Sequence, residues 1–215
     1  MNASVRSRAR PPRGLWSAVL VLSLLPAVWI GLRTLGWFGG LGVNPIERLL
    51  TDSGTHALIA LLVALAVTPL RQMTGWPWIT RLRRMLGLVA FGYVTTHFLI
   101  WVGVDLFFDW GLILGDLTRR PFVMVGFTAW LILLALALTS TRAAQRRLRR
   151  NWARLHRLVY VAGGLAILHV FWIVRADYRE VGVYAAILGL LLGWRVMYRL
   201  YVARRARDGR ASEWH

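Results

Sequence analysis

The chain has 215 residues, 57% of them hydrophobic and none of them cysteine, which is too apolar for a water-soluble domain of this length and excludes disulfides, thiolate metal sites and iron–sulfur clusters. All 27 basic residues are arginine and only 9 acids oppose them, for a net charge of +18. The arginines fall in short runs between long apolar stretches and are not interleaved with aromatics along one face, so the charge reads as a marker of membrane orientation and not as a nucleic-acid groove.

The chain opens with Arg6, Arg8, Arg10 and Arg13 ahead of an apolar run from Leu15, a pattern shared with secretory signals. No small-x-small cleavage site follows Pro26, and further hydrophobic segments come later, so the run is read as a retained first helix. Runs of about 20 apolar residues then fall near 15–35, 54–70, 85–103, 121–139, 152–174 and 182–200. The expected fold is all-α, an integral membrane bundle of about six transmembrane helices. The run 54–70 is short and is expected to leave the membrane at Pro69 and Arg71. The expected organisation is a basic tail over 1–14, a transmembrane bundle over 15–200 and a second basic tail over 201–215. No linker, repeat or long loop marks a further domain.

Seventeen arginines lie in the N-terminal tail and in 71–84, 140–151 and 201–215, whereas the opposite connections hold Arg48, Arg119, Arg120, Arg175 and Arg179. Seven of the nine acids, Glu47, Asp52, Asp105, Asp109, Asp116, Asp177 and Glu180, also fall on the arginine-poor side. The positive-inside rule therefore puts both termini in the cytoplasm. Trp37, Trp76, Trp78, Trp110 and Trp152 stand near the ends of these spans, where an indole prefers the headgroup layer.

An imidazole inside hydrocarbon needs a partner; haem iron supplies one, and a porphyrin's flat apolar faces suit a cleft between helices. His97 lies in the third run and His169 in the fifth, both running outward and reaching comparable depths, so the two are candidate ligands of one b-type haem. His156 precedes His169 by 13 residues, about 20 Å along a helix, so one iron does not take both; this spacing suits a second haem nearer the cytoplasm. On an ideal helix the two side chains would stand roughly 140° apart, and Gly163 and Gly164 are the places where local distortion would bring them onto one face. Nothing on the third run matches His156 in depth as a second histidine, and Met85 is a candidate in its place. The alternative for each histidine is a structural hydrogen bond between helices. His56 opens the second run and reads as interfacial; His215 lies in the tail. No G-x-S-x-G, paired carboxylates or H-E-x-x-H occurs in the runs, which speaks against hydrolytic and zinc chemistry.

Five stretches in this order carry a family resemblance: Thr68-Pro69-Leu70-Arg71; Arg84-Met85-Leu86-Gly87-Leu88; Arg120-Pro121 with Gly126; Leu138-Thr139-Ser140-Thr141; and Trp152 with Leu155-His156-Arg157-Leu158-Val159-Tyr160. Over about 50–200 the chain resembles the MsrQ family, haem-binding membrane subunits within the ferric-reductase-like transmembrane superfamily, whose core would cover about 50–175. The resemblance implies a subunit of the bacterial inner membrane that carries electrons from the quinone pool to a periplasmic molybdopterin enzyme reducing methionine sulfoxide in oxidised proteins. It carries the functional histidines over to His97, His156 and His169, and it implies b haem, one or two, and FMN. Arg71, Arg83, Arg84 and Arg147 are candidate contacts of a flavin phosphate, although orientation alone also accounts for them. His56 departs from the family pattern, and Arg175 stands where lysine is usual.

Two alternatives remain beside this reading. One is a ferric-chelate reductase, for which the chain has no G-x-G-x-x-G after a strand and no room for a nicotinamide domain. The other is a small transporter or assembly factor whose histidines relay protons. In the electron-transfer reading, Asp105, Asp109 and Asp116 in the 104–120 loop are candidate docking charges for the soluble partner.

Overall fold

The computed structural model describes residues 14–211, with side chains through residue 205. Arg6, Arg8, Arg10, Arg13 and His215 lie outside the described residues. Six helical stretches are long and apolar enough to cross a bilayer: Leu15–Thr34, Pro45–Thr74, Ile79–Asp105, Pro121–Leu138, Arg150–Ile173 and Arg179–Arg205. Among the described residues there is no strand. The fold is therefore the expected all-α bundle, and the chain is a multi-pass membrane protein.

Helix α1 spans Leu15–Thr34 and is interrupted in its backbone ladder by Pro26. The Tyr93 hydroxyl enters the gap, accepting from Ala27 N at 3.1 Å and donating to Ser23 O at 2.8 Å. One phenol thus satisfies both loose backbone groups and fastens α1 to α3 (Ile79–Ile100).

Helix α2 corrects the sequence-based estimate. It runs 30 residues, Pro45–Thr74, instead of 54–70, and it passes through Pro69 to stop at Gly75 in the left-handed region, φ 71°. Two features explain the extra turns. At the start, Asn44 caps the helix and proline occupies its first position. The charges that depress hydropathy there are paired, Arg48 with Asp52 at 3.0 Å and Asp52 with Arg33 at 3.1 Å. Further along, Pro69 has no N–H for the carbonyl of Leu65, but Arg195 Nη2 donates to that oxygen at 2.5 Å from α9 (Arg179–Ala211). Pro69 is therefore an internal residue of the helix and not its exit.

Helix α3 continues into a π-helical turn, Trp101–Asp105, and Phe107 and Phe108 follow with positive φ of 49° and 59°. Phe108 folds back onto Gly103, where a Cβ would meet its ring at 3.0 Å. A short helix, α4 (Trp110–Arg119), leads to α5 (Pro121–Leu138). Short helices α6 (Arg142–Leu148) and α7 (Arg150–Leu155) meet at Arg149, φ 47°, and a 3-10 turn, His156–Leu158, joins α7 to α8 (Val159–Ile173).

The main packing pairs are α2 with α3 and α5 with α8; α3 touches α5, and α9 closes over α2 and α8. The central core is Leu58, Leu61, Leu62 and Leu65 of α2 with Ala90, Leu133, Leu136, Ala162 and Leu188. Ala90 and Ala162 are almost fully buried, as expected where small residues let membrane helices approach closely. Large apolar side chains such as Val21, Leu22, Leu190 and Val196 face outward, as a lipid-facing surface requires.

Candidate functional site

Two elements position the paired histidines. His97 sits one turn before the end of α3, and His169 sits in the last turns of α8, eighteen residues beyond Ile79 and nineteen beyond Arg150 respectively. The shared depth expected from sequence brings the rings together: their centroids are 6.3 Å apart, edge to face at 77°. Two imidazoles on opposite sides of one metal, with nitrogen bonds of about 2.0 Å, would set their ring centres roughly 6 Å apart.

The protein fixes which nitrogen each ring offers. His169 Nδ1 lies 2.7 Å from the carbonyl oxygen of Phe122; a carbonyl only accepts, so Nδ1 carries the proton. His97 Nδ1 lies 3.0 Å from Ser53 Oγ, and that hydroxyl is itself aimed at Leu50 O, 3.1 Å away. Ser53 thus donates onward and accepts from His97 Nδ1–H. Both neutral rings are left with Nε2 as a lone-pair donor, the arrangement in which a backbone carbonyl or hydroxyl orients a metal-binding imidazole.

Two glycines make room for these rings. A Cβ on Gly126 would stand 2.7 Å from His169 Nδ1, and one on Gly54 would stand 3.1 Å from the His97 ring. A side chain at position 126 would force the His169 ring to shift, and one at position 54 would crowd the His97 ring. The donor set and the cradle fit a haem, which His97 and His169 would hold through their Nε2 atoms.

His156 occupies a different place. It begins the 3-10 turn ahead of α8, stacks on Trp152 with centroids 4.1 Å apart, and has Nε2 3.2 Å from Thr139 Oγ1. The departure from ideal helix between His156 and His169 lies in this turn and not at Gly163 or Gly164, which remain within α8. His156 lines a cavity of about 280 Å³ together with Arg83, Arg84, Gly87, Trp152 and Arg195. Met85 does not line it and packs instead against the Val67, Ile79, Leu82 and Leu86 cluster. His156 therefore stands in the cavity without a second protein imidazole or thioether.

Beside this cavity is an open recess of about 650 Å³ lined by Thr80, Arg81, Arg84, Ser140, Arg142 and Gln145. It brings the 71–84 and 140–151 connections to one end of the bundle, the arginine-rich end. Of the four arginines considered for a phosphate, Arg84 lines both spaces and Arg83 the inner one, whereas Arg71 and Arg147 line neither.

At the opposite end, two of the three loop aspartates hold the local structure. Asp109 caps α4 by accepting from Gly111 N at 2.8 Å and Leu112 N at 3.1 Å, and Asp116 pairs with Arg120 at 3.1 Å. His56 is turned onto its own helix, with Nδ1 2.6 Å from Asp52 O. Sequence reasoning missed Ser53, Gly54, Thr139 and Arg195 as residues of these sites. A polar residue inside an apolar run was the available signal for Arg195, the sole charge between Glu180 and Arg199.

A helical bundle with six stretches long and apolar enough to cross a bilayer, and with two imidazoles facing one another between its helices, belongs to the multi-pass membrane proteins. Residues 53–168 match the family described as ferric reductase like transmembrane component. The chain is 49% identical over 195 residues to a protein of Rhodospirillum rubrum, covering 90% of this chain and 91% of that one. It is 46% identical over 187 residues to a protein of Xanthomonas campestris pv. campestris, covering 83% and 86%, and 48% identical over 179 residues to one of Xanthomonas euvesicatoria, covering 82% of each. All three relatives are named protein-methionine-sulfoxide reductase heme-binding subunit MsrQ. The chain belongs to the MsrQ family of ferric-reductase-like transmembrane proteins.

Proposed function

We propose that this protein is the membrane subunit of a bacterial methionine-sulfoxide reductase system, passing electrons from quinol or reduced flavin through b haem to a periplasmic, molybdopterin-containing catalytic subunit. The observation that carries this reading is the His97–His169 pair, 6.3 Å between centroids and with both Nδ1 atoms already engaged. Haem iron, when bound, supplies a one-electron couple. The residues of this chain hold the ligands in one tautomer, exclude water and surround the site with apolar helices, the means by which a protein sets haem potential.

His156 is the ligand of a second haem in this reading, placed toward the arginine-rich end. Among the described residues its Nδ1 makes no hydrogen bond, and its Nε2 lies 3.2 Å from Thr139 Oγ1. Two haems at these depths would give an electron a route across the bilayer. The arginine-lined recess with Arg81, Arg84 and Arg142 suits the phosphate of FMN, since guanidinium forks match phosphate oxygens.

The arginine excess supports a topology with that recess and both termini in the cytoplasm of a cell with an inner membrane, and with the acidic end in the periplasm. There Asp105 and the loop around it meet the catalytic partner.

The test is spectroscopic. Purified protein is expected to show a Soret band that shifts on dithionite reduction, and the reduced haem is expected to reoxidise with methionine sulfoxide only when the catalytic subunit is added. Reoxidation by ferric chelates alone, at equal or greater rate, would favour a ferric-reductase activity. A colourless protein would end the proposal.

A further inference from the structure

A guanidinium drawn into a bundle of apolar helices has given up water, and it ordinarily regains partners through hydrogen bonds and a carboxylate. Arg195 has only part of this. It is 8% exposed on α9. Its Nη1 donates to the Tyr160 hydroxyl and its Nη2 to Leu65 O, the carbonyl left open by Pro69, while its Nε is buried with no partner among the described residues. Both acceptors are neutral. The ion pairs among the described residues join Arg33 and Arg48 to Asp52 and Arg120 to Asp116, all at the other end of the bundle.

Service to the Leu65 carbonyl does not account for this residue, because one neutral donor would meet it. What remains is a net positive charge on the wall of the cavity that also holds His156, with Arg83 and Arg84 on the same lining. Every charge on that lining is positive, so an anion that balances Arg195 there would come with the cavity's occupant.

We infer that Arg195 holds an acidic group of the amphiphile that fills this cavity; resting on the reading of His156 as a haem ligand, that group is a haem carboxylate. Arg195 is then a positioning residue. It fixes the rotation of the tetrapyrrole about the His156 bond and neutralises one carboxylate inside the bundle, and Tyr160 holds the guanidinium in place through its hydroxyl and its ring, 4.8 Å from Cζ.

The experiment uses the full chain produced without haem, solubilised and titrated with haem or with haem dimethyl ester, in which both carboxylates are blocked. The wild-type protein is expected to take its second equivalent of haem about tenfold more tightly than the ester, the worth of one charge-assisted hydrogen bond. Arg195→Leu and Arg195→Gln are expected to bind the two alike, and Arg195→Lys to keep part of the preference. The first equivalent, at His97 and His169, reports in each variant that the bundle has folded; should Arg195→Leu lose it, Arg195→Lys and Arg195→Gln carry the comparison.

An undiminished preference for the free acid in Arg195→Leu overturns the inference, as does a wild-type protein that does not distinguish haem from ester. Phospholipid phosphorus that stays with the wild type after detergent washing and is lost from Arg195→Leu, without any difference in the haem titrations, would assign the anion to lipid and also overturn it. His156→Ala separates the two layers: if it keeps the second equivalent, the reading of this cavity as a haem site has failed. If it loses that equivalent while Arg195→Leu behaves as wild type, only the role of Arg195 has failed.

Discussion

The imidazoles of His97 and His169, from α3 and α8, stand edge to face with their centres 6.3 Å apart, and each is anchored through Nδ1, to Ser53 and to the Phe122 carbonyl respectively. The anchoring leaves Nε2 of both rings as the free donor, and the predictions about the proposed haem begin from that asymmetry.

Replacing either proposed ligand would remove half of the grip on the metal. His97→Ala and His169→Ala are each expected to lower haem affinity by more than the ~10–100-fold typical for loss of a supporting partner. Pyridine haemochrome quantification on purified protein checks this; unchanged haem content in both variants would remove the ligand assignment.

Ser53→Ala keeps the ligand and removes its orientation. The buried Nδ1–H of His97 loses its acceptor, and haem is expected to bind ~10–100-fold more weakly while the protein retains its spectrum when saturated. The rate of haem transfer to an acceptor globin measures the difference. A rate equal to that of wild type would show that Ser53 does not hold the ring.

Gly126→Ala forces a Cβ to within 2.7 Å of His169 Nδ1. The ring has to shift, at a cost of about 1–3 kcal/mol for overpacking, and the bond to Phe122 O is lost. Lower haem occupancy and a lower unfolding midpoint are expected. Gly164→Ala is the control: nothing lies within 4 Å of its Cβ, and alanine in a helix interior is favoured over glycine by about 1 kcal/mol.

Tyr93→Phe opens the ladder of α1. Ala27 N–H and Ser23 O both lose the hydroxyl that now joins them, leaving groups whose exposure to hydrocarbon costs about 1–3 kcal/mol. Thermal unfolding in detergent is expected to begin at lower temperature, with early protease access to α1 and haem content at His97 little changed.

The chain contains no cysteine, so single introduced thiols map its orientation cleanly. Thr118→Cys on α4 is expected to react with a membrane-impermeant maleimide in intact spheroplasts, and Ala143→Cys on α6 only after lysis. The reverse pattern would invert the proposed topology.

Much of this protein is written in one dimension. Six apolar runs, the arginine asymmetry and the depths of His97 and His169 follow from local composition and a rise of about 1.5 Å per residue, because the bilayer imposes one axis on every span. Hydropathy misjudged α2 where charges pair across a turn and where Pro69 is rescued from another helix, since an average over a window does not register who supplies the missing hydrogen bond. The details that make the candidate sites were decided by tertiary structure alone. Ser53 meets His97 across 44 positions, Phe122 meets His169 across 47, and Leu65 meets Arg195 across 130. Such partners are chosen by how the helices rotate about their own axes when they pack, and that rotation is an outcome of many side-chain contacts at once and not of any stretch of chain read by itself.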